Sequence, residues 1–170
     1  MKTNMREYKT TFSSPLGEIL IKSSKNAITS LSFTQAETKK AETKQTETCR
    51  VLEKAKVWLE GYFAGKNSKI DFPLEPNGTP FQKMVWQCLL DINYGEVSTY
   101  GMVAKKVTQK LGKQKMSARA VGRAVGSNPI SIIIPCHRVL GANGALTGYA
   151  WGLERKIKLL ELEKANKELP

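Results

Sequence analysis

Cys136 is followed directly by His137, the only histidine in the chain. A thiol attacks only as its thiolate, and a neighbouring imidazole or cation lowers its pKa and accepts its proton, directly or through water. The pair lies in Ile132-Ile133-Ile134-Pro135-Cys136-His137-Arg138-Val139, where Ser131 to Ile134 reads as a buried strand that Pro135 breaks into a turn. One reading makes Cys136 an activated nucleophile. The other makes it a small buried hydrophobe with His137 packed beside it, as free cysteines often are. Arg119 is the second candidate, because its neighbours Ser117, Ala118, Ala120 and Gly122 are all small. Such a helix can approach a backbone or a narrow groove closely, and an arginine there reaches into a base stack or pairs with phosphate. Alternatively the small residues pack in a core and Arg119 faces solvent. Arg123, at i+4, shares its face or is a solvated charge. Tyr149 could wall a flat-ring pocket or simply fill the core. Glu163 is, by spacing alone, one of several surface carboxylates on the last helix.

The rest of the composition narrows the chemistry. The chain has 170 residues, 41% hydrophobic and 25% charged, which is the profile of a folded globular protein of one domain or two small ones. Three cysteines with no CxxC pair exclude a disulfide framework and a cysteine-based zinc site, and one histidine cannot supply the imidazoles of another. No metal and no cofactor are expected. No apolar run reaches the roughly 18 residues a membrane span needs, and the start MKTNMREYKTTF lacks a signal peptide's apolar stretch. A reducing cytoplasm, or association with the nucleoid, follows as the expected location. The net charge of +12 points to a polyanionic partner, of which nucleic acid is the commonest. Residues 79–170 carry 14 basic and 6 acidic residues, a net +8, so that half is the better candidate for the contact.

These side chains need a scaffold of two parts. FPLEPNGTP holds three prolines and a glycine and marks a boundary, giving expected domains 1–78 and 79–170. Lys9 to Phe12, Glu18 to Lys22 and Ile28 to Phe33 read as three short antiparallel strands. The tract Thr34 to Thr48 has no apolar periodicity and reads as an exposed loop or a solvated helix start. Val51, Leu52, Ala55, Trp58, Leu59, Tyr62 and Phe63 recur at helical spacing until Gly65, predicting an amphipathic helix on the sheet. A second helix opens after Thr79-Pro80 and runs through Ile92. Ser98 or Thr99 caps a third, to Leu111, and a fourth spans about Ser117 to Val125. Two short helices joined by a turn, the second small and basic, suggest a helix-turn-helix. Leu153 to Lys164 is the last helix.

Taken together, these motifs resemble the O6-alkylguanine-DNA alkyltransferases, or methylated-DNA-protein-cysteine methyltransferases. The resemblance spans most of residues 79–170 and rests on Phe81-Gln82 with Val85-Trp86, Thr99-Tyr100-Gly101, Ala118-Arg119-Ala120-Val121-Gly122, Asn128-Pro129, Ile134-Pro135-Cys136-His137-Arg138-Val139, Gly148-Tyr149 and Gly152-Leu153 followed by Lys156. SPLGEILI adds a weaker match in the first half. The resemblance implies an α+β protein: a small ribonuclease H-like N-terminal sheet with a helix, then a mostly helical, winged-helix-like domain with a helix-turn-helix. It also implies repair of double-stranded DNA by irreversible, single-turnover transfer of the alkyl group from O6 of alkylguanine, and from O4 of alkylthymine, to Cys136. In that scheme His137 is a water-mediated base, Glu163 orients it, and Asn128 belongs to the supporting network. Arg119 fills the stack after the nucleotide flips out, with Ser117, Ala118, Ala120, Gly122 and Arg123 on the DNA face. Tyr100, Val139, Tyr149 and the Ala150 N–H would meet the base. The protein would act as a monomer without a cofactor or membrane.

Other readings remain at this point. A non-catalytic lesion-binding relative would lack Cys136. A helix-turn-helix regulator would need long polar readers where Ala118, Ala120, Gly122 and Ala124 stand. A cysteine hydrolase would need an oxyanion site. Two departures stand out against the family: Asn93 where proline is frequent before Tyr94-Gly95, which should loosen the helix end, and Trp151 where a glycine is frequent beside the pocket.

Overall fold

The structure, a computed structural model, describes residues 6–35 and 49–167. Most of the Thr34 to Thr48 tract therefore lies outside the described residues. The chain divides into two compact units that part between Asn77 and Gly78.

In the first unit β1 (Tyr8–Ser14), β2 (Gly17–Ser23) and β3 (Ile28–Phe33) form an antiparallel sheet in sequence order. The first hairpin turns at Gly17, whose φ of 122° suits a residue without a Cβ, and Ser14 Oγ donates to the Gly17 carbonyl at 2.6 Å. In register, Thr10 faces Ile21 and Ile21 faces Leu31. Ile19 and Ile21 point to one side of β2, and helix α1 (Arg50–Phe63) packs on the sheet with Val51, Leu52, Ala55, Leu59 and Tyr62 buried. Each fully buried large aliphatic chain contributes about 1.5–3 kcal/mol. Trp58 does not go inward; it stacks on Tyr62 at 5.3 Å, and its indole N–H donates to the Ser68 carbonyl. The proline-rich stretch only brushes the sheet edge, through a bridge between Leu74 and Ile28. That is what a segment short of N–H donors permits.

The second unit is built on helices. Helix α2 (Pro80–Leu90) opens with a full capping box, in which Thr79 and Gln82 satisfy each other's backbone N–H groups and Pro80 sits at the first position. It ends at Leu90, before the expected Ile92, which is buried just beyond the helix. The two-residue β4 (Ser98–Thr99) follows, and Thr99 caps α3 (Tyr100–Leu111) by accepting from the Met102 N–H. Gly112, left-handed at φ 61°, terminates that helix. Ser117 caps α4 (Ala118–Gly126), whose Val121, Ala124 and Val125 face inward. The Trp86 indole N–H donates to the Ala124 carbonyl at 2.8 Å, locking α2 to α4. A short strand β5 (Val139–Leu140) pairs in parallel with β4, and α5 (Leu153–Lys167) completes the unit. Sequence patterning did not reveal the β4–β5 pair, which is too short to show a period.

The expected strand over Ser131 to Ile134 is absent. The segment is a buried turn in which Ile132 takes φ 68°, a left-handed conformation that is strained for a β-branched residue by about 1–3 kcal/mol. Continuous apolar character signalled burial, and burial is what the segment has, but a turn's backbone must find other partners. Asn128 supplies them: its Nδ2 donates to the Ile134 carbonyl at 2.8 Å and its Oδ1 accepts from the Ile130 N–H at 3.0 Å.

Candidate active site

The turn delivers Cys136 to the floor of a cavity of about 240 Å³. Tyr100, Gly122, Asn128, Tyr149 and Ala150 line the same cavity, so five of the expected site residues converge on the thiol, together with Ser131. Cys136, His137 and Arg138 form a single 3-10 turn and all three are buried. Burial raises the Cys136 thiol above its ordinary pKa, against opposing pulls from the Asn128 side chain, the Lys156 charge and the N–H groups of Cys136 and His137. At rest the sulfur therefore holds its proton and needs a base to take it.

His137 is completely buried, and its Nε2 lies 2.7 Å from Glu163 Oε1. The same carboxylate receives Arg138 in a bidentate fork, Nε to Oε2 and Nη2 to Oε1, both at 2.9 Å, and Oε2 also accepts from the Gly95 N–H at 3.3 Å. Burial works against the charge on Glu163, but the hydrogen bonds and charges of His137 and Arg138 outweigh it and hold the carboxyl at about 2. Glu163 is thus an anion that can only accept, which makes Nε2 of His137 the donor. Burial pushes the imidazole's pKa down, with Glu163 opposing. Whenever the ring is neutral, its proton therefore sits on Nε2 and its lone pair on Nδ1.

Glu163 corrects the sequence reading most sharply, since spacing placed it on the surface. The buried line of α5 is Lys156, Leu159 and Glu163, so this helix turns two charged residues inward. Lys156 Nζ donates to the carbonyls of Val139 at 2.7 Å, Thr147 at 2.8 Å and Gly148 at 3.4 Å, fastening the loop that carries Tyr149. Val139 is completely buried in β5, with Ser98 opposite, and is not among the residues that line this cavity. Its contribution to the site is the carbonyl that holds Lys156. Trp151 is equally engaged, its indole N–H donating to Ser131 Oγ at 2.7 Å across the cavity wall. Asn93 donates from Nδ2 to Glu96 Oε2 at 3.0 Å across the turn after α2.

Arg119 and Arg123 are both exposed on α4, on the side opposite Val121 and Val125, with Ala118 and Gly126 also accessible. Ser117 is occupied as the cap, bonding the Ala120 N–H at 3.4 Å. Arg138 was missed as a site residue, although it stands next to His137 in the sequence. Among the described residues no group of three or more His, Cys, Asp and Glu could hold a metal ion, and no helix is long and apolar enough to cross a membrane.

An antiparallel sheet with one helix, followed by a helical unit that sets a helix-turn-helix against a cysteine at the floor of a cavity, defines a class of two-part α+β proteins. Family models give that class its identity. The ribonuclease-like domain of 6-O-methylguanine DNA methyltransferases matches residues 7–76, and their DNA-binding domain matches residues 80–165. The chain is 46% identical over 158 residues to the methylated-DNA–protein-cysteine methyltransferase of Methanosarcina acetivorans, covering 92% of this chain and 97% of that one. It is 43% identical to the Haemophilus influenzae protein of the same name, covering 92% and 86%. The crystal structure of Mycobacterium tuberculosis O6-methylguanine methyltransferase superimposes with a TM-score of 0.80 at 40% identity, covering 97% of this chain and 96% of that one. Mycobacterium tuberculosis OGT in complex with DNA matches with a TM-score of 0.79 at 41% identity over 92% of both chains. The chain belongs to the O6-methylguanine-DNA methyltransferase family.

Proposed function

We propose that this protein repairs double-stranded DNA by moving the alkyl group from O6 of alkylguanine, and from O4 of alkylthymine, onto Cys136. The observation that carries the reading is a buried thiol on the floor of a cavity that α4 borders, next in the chain to an imidazole held by Glu163. The Cys136 proton passes through water to Nδ1 of His137. Sulfur then attacks the alkyl carbon, the carbon–O6 bond breaks, and its electron pair stays with the purine, which takes back one proton. Thiol and alkylguanine become thioether and guanine, so no cofactor is consumed. A thioether sulfur is neutral and offers no easy leaving group, so each molecule turns over once.

A base inside a duplex is out of reach of Cys136 and must be extruded, at a cost on the order of a few kcal/mol. Arg119, exposed among small residues on α4, enters the stack in its place, and Arg123 and the surrounding basic residues meet phosphate. Tyr100, Tyr149 and the Ala150 N–H receive the flipped base, and Asn128 holds the turn that presents the sulfur. A lesion binder without chemistry is not favoured, because Cys136 is present and the similar curated proteins are named as methyltransferases.

Incubation with duplex DNA carrying labelled O6-methylguanine is expected to place label on the Cys136 peptide, up to one equivalent per chain and no further. Tight binding without transfer would leave the lesion-binding reading standing. Arg119→Ala should slow repair of the duplex much more than reaction with free O6-methylguanine base. Equal losses on the two substrates would remove Arg119 from the role of stack filler.

A further inference from the structure

The Arg138 guanidinium is held from three sides. Its fork takes both oxygens of Glu163, Nη1 donates to the Ile92 carbonyl at 2.6 Å, and its carbon sits 5.8 Å from the centre of the Tyr94 ring. Yet Arg138 does not reach the cavity wall, and orienting His137 would need only the single contact from Glu163 Oε1. The second partner changes the charge balance. A carboxylate alone beside a buried imidazole stabilises the imidazolium, because the pair then carries no net charge. An imidazolium already holds the proton that a base must accept.

We propose that Arg138 is a positioning residue that acts through Glu163: it is the fixed counter-charge that leaves no uncompensated anion beside His137 and so keeps the imidazole neutral at physiological pH. This rests on the reading of Cys136 as acceptor and His137 as its base. The charged and titratable groups that face His137 are Glu163 and Lys156 from α5, and Arg138 and Cys136 from its own turn. Of these, only Glu163 favours the imidazolium. Burial opposes it most strongly, and the charges of Arg138 and Lys156 act with burial. Lys156 is tied to backbone carbonyls and, among the described residues, forms no ion pair with a carboxylate, so removal of Arg138 alone exposes the Glu163 charge to the ring.

Because the chain has one histidine, a protein labelled with 15N at histidine gives a single imidazole signature. In the wild type at pH 7 it is expected to be neutral with the proton on Nε2. In Arg138→Gln the midpoint of the His137 titration should rise by about one pH unit or more, and the acid limb of alkyl transfer to Cys136 should move to higher pH with it, a loss of about fivefold or more in rate at the wild-type midpoint that recovers in alkali. Arg138→Lys should restore the wild-type titration. An imidazolium in the wild type at pH 7 overturns the proposal. So does an Arg138→Gln protein whose rate falls equally at every pH with its His137 midpoint unmoved, as a purely structural residue would give. If Arg138→Gln does not fold, the wild type and Arg138→Lys decide: neutral rings in both support the proposal, and an imidazolium in either overturns it. Failure of the wild type to alkylate Cys136 at any pH would instead overturn the reading of the reaction, whatever the histidine does.

Discussion

Cys136→Ser protein is expected to take no measurable label from duplex DNA carrying labelled O6-methylguanine, a loss of at least about 10⁴-fold in rate, while binding to that duplex persists. The serine hydroxyl fits the same space and keeps the same polar surroundings, the Asn128 side chain and the N–H groups of Cys136 and His137 that oppose the rise of the thiol's pKa. Folding should therefore change by no more than about 1 kcal/mol. What disappears is the nucleophile: a hydroxyl is a far weaker acid than a thiol, and a neutral imidazole cannot ionise it. The other two cysteines provide the internal control. Cys88 is fully buried on the inner face of α2, and Cys49 lies in the first unit with its sulfur 3.2 Å from Ser23 Oγ. Label on either one in the wild type, or label on the serine protein, would show that the acceptor has been misassigned. The measurement is peptide mapping after a single incubation, paired with a gel-shift titration on the same duplex.

How far the sequence speaks for itself depends on what kind of force holds each element. The helices of the second unit carry their own signals, in Thr79-Pro80 with Gln82, in Thr99 and in Ser117, because capping is local chemistry between residues three apart. The α1 stripe was equally legible, since it is a long amphipathic helix on a sheet. The turn at Ser131 to Ile134 was not. An apolar run reports burial without reporting backbone direction, and the side chain that replaces the missing strand partner, Asn128, is remote from any period. The α5 helix misleads for a related reason. Its leucines suggest the core face, but the line that meets the active-site turn runs Lys156, Leu159, Glu163, with the two charges stabilised by partners more than seven residues away. Family resemblance pointed to Glu163 where periodicity could not. Neither indicated that Arg138, one residue from the histidine, shares its carboxylate.

That shared carboxylate makes Glu163→Gln the most costly conservative change in the site. Oε1 accepts from His137 and Arg138, and Oε2 accepts from Arg138 and Gly95. Whichever way the amide is turned, its NH₂ faces two donors, and the buried guanidinium loses its counter-ion. Removing one partner of a buried ion pair costs about 3–5 kcal/mol, and that loss is expected in denaturant titrations at pH 7. Acid supplies the check on its cause. With a folded pKa of about 2 against 4.5 for a free glutamate, the stabilisation by Glu163 is fully present above about pH 4.5 and disappears as the pH falls toward 2, an amount of about 3 kcal/mol. The wild-type and variant stabilities should converge over that interval, and a gap that stayed constant would assign the cost to packing instead of charge. Alkyl transfer should fall by about 10² or more, because the imidazole loses the acceptor that fixes its tautomer. The direction of the pH profile separates this variant from Arg138→Gln. Glu163→Gln removes the group that favours the imidazolium and leaves Arg138 and Lys156 opposing it, so the His137 midpoint should move down, opposite to the shift expected without Arg138. Two changes on one salt bridge would then slow the same reaction while displacing the base in opposite directions, which loss of structure alone cannot produce.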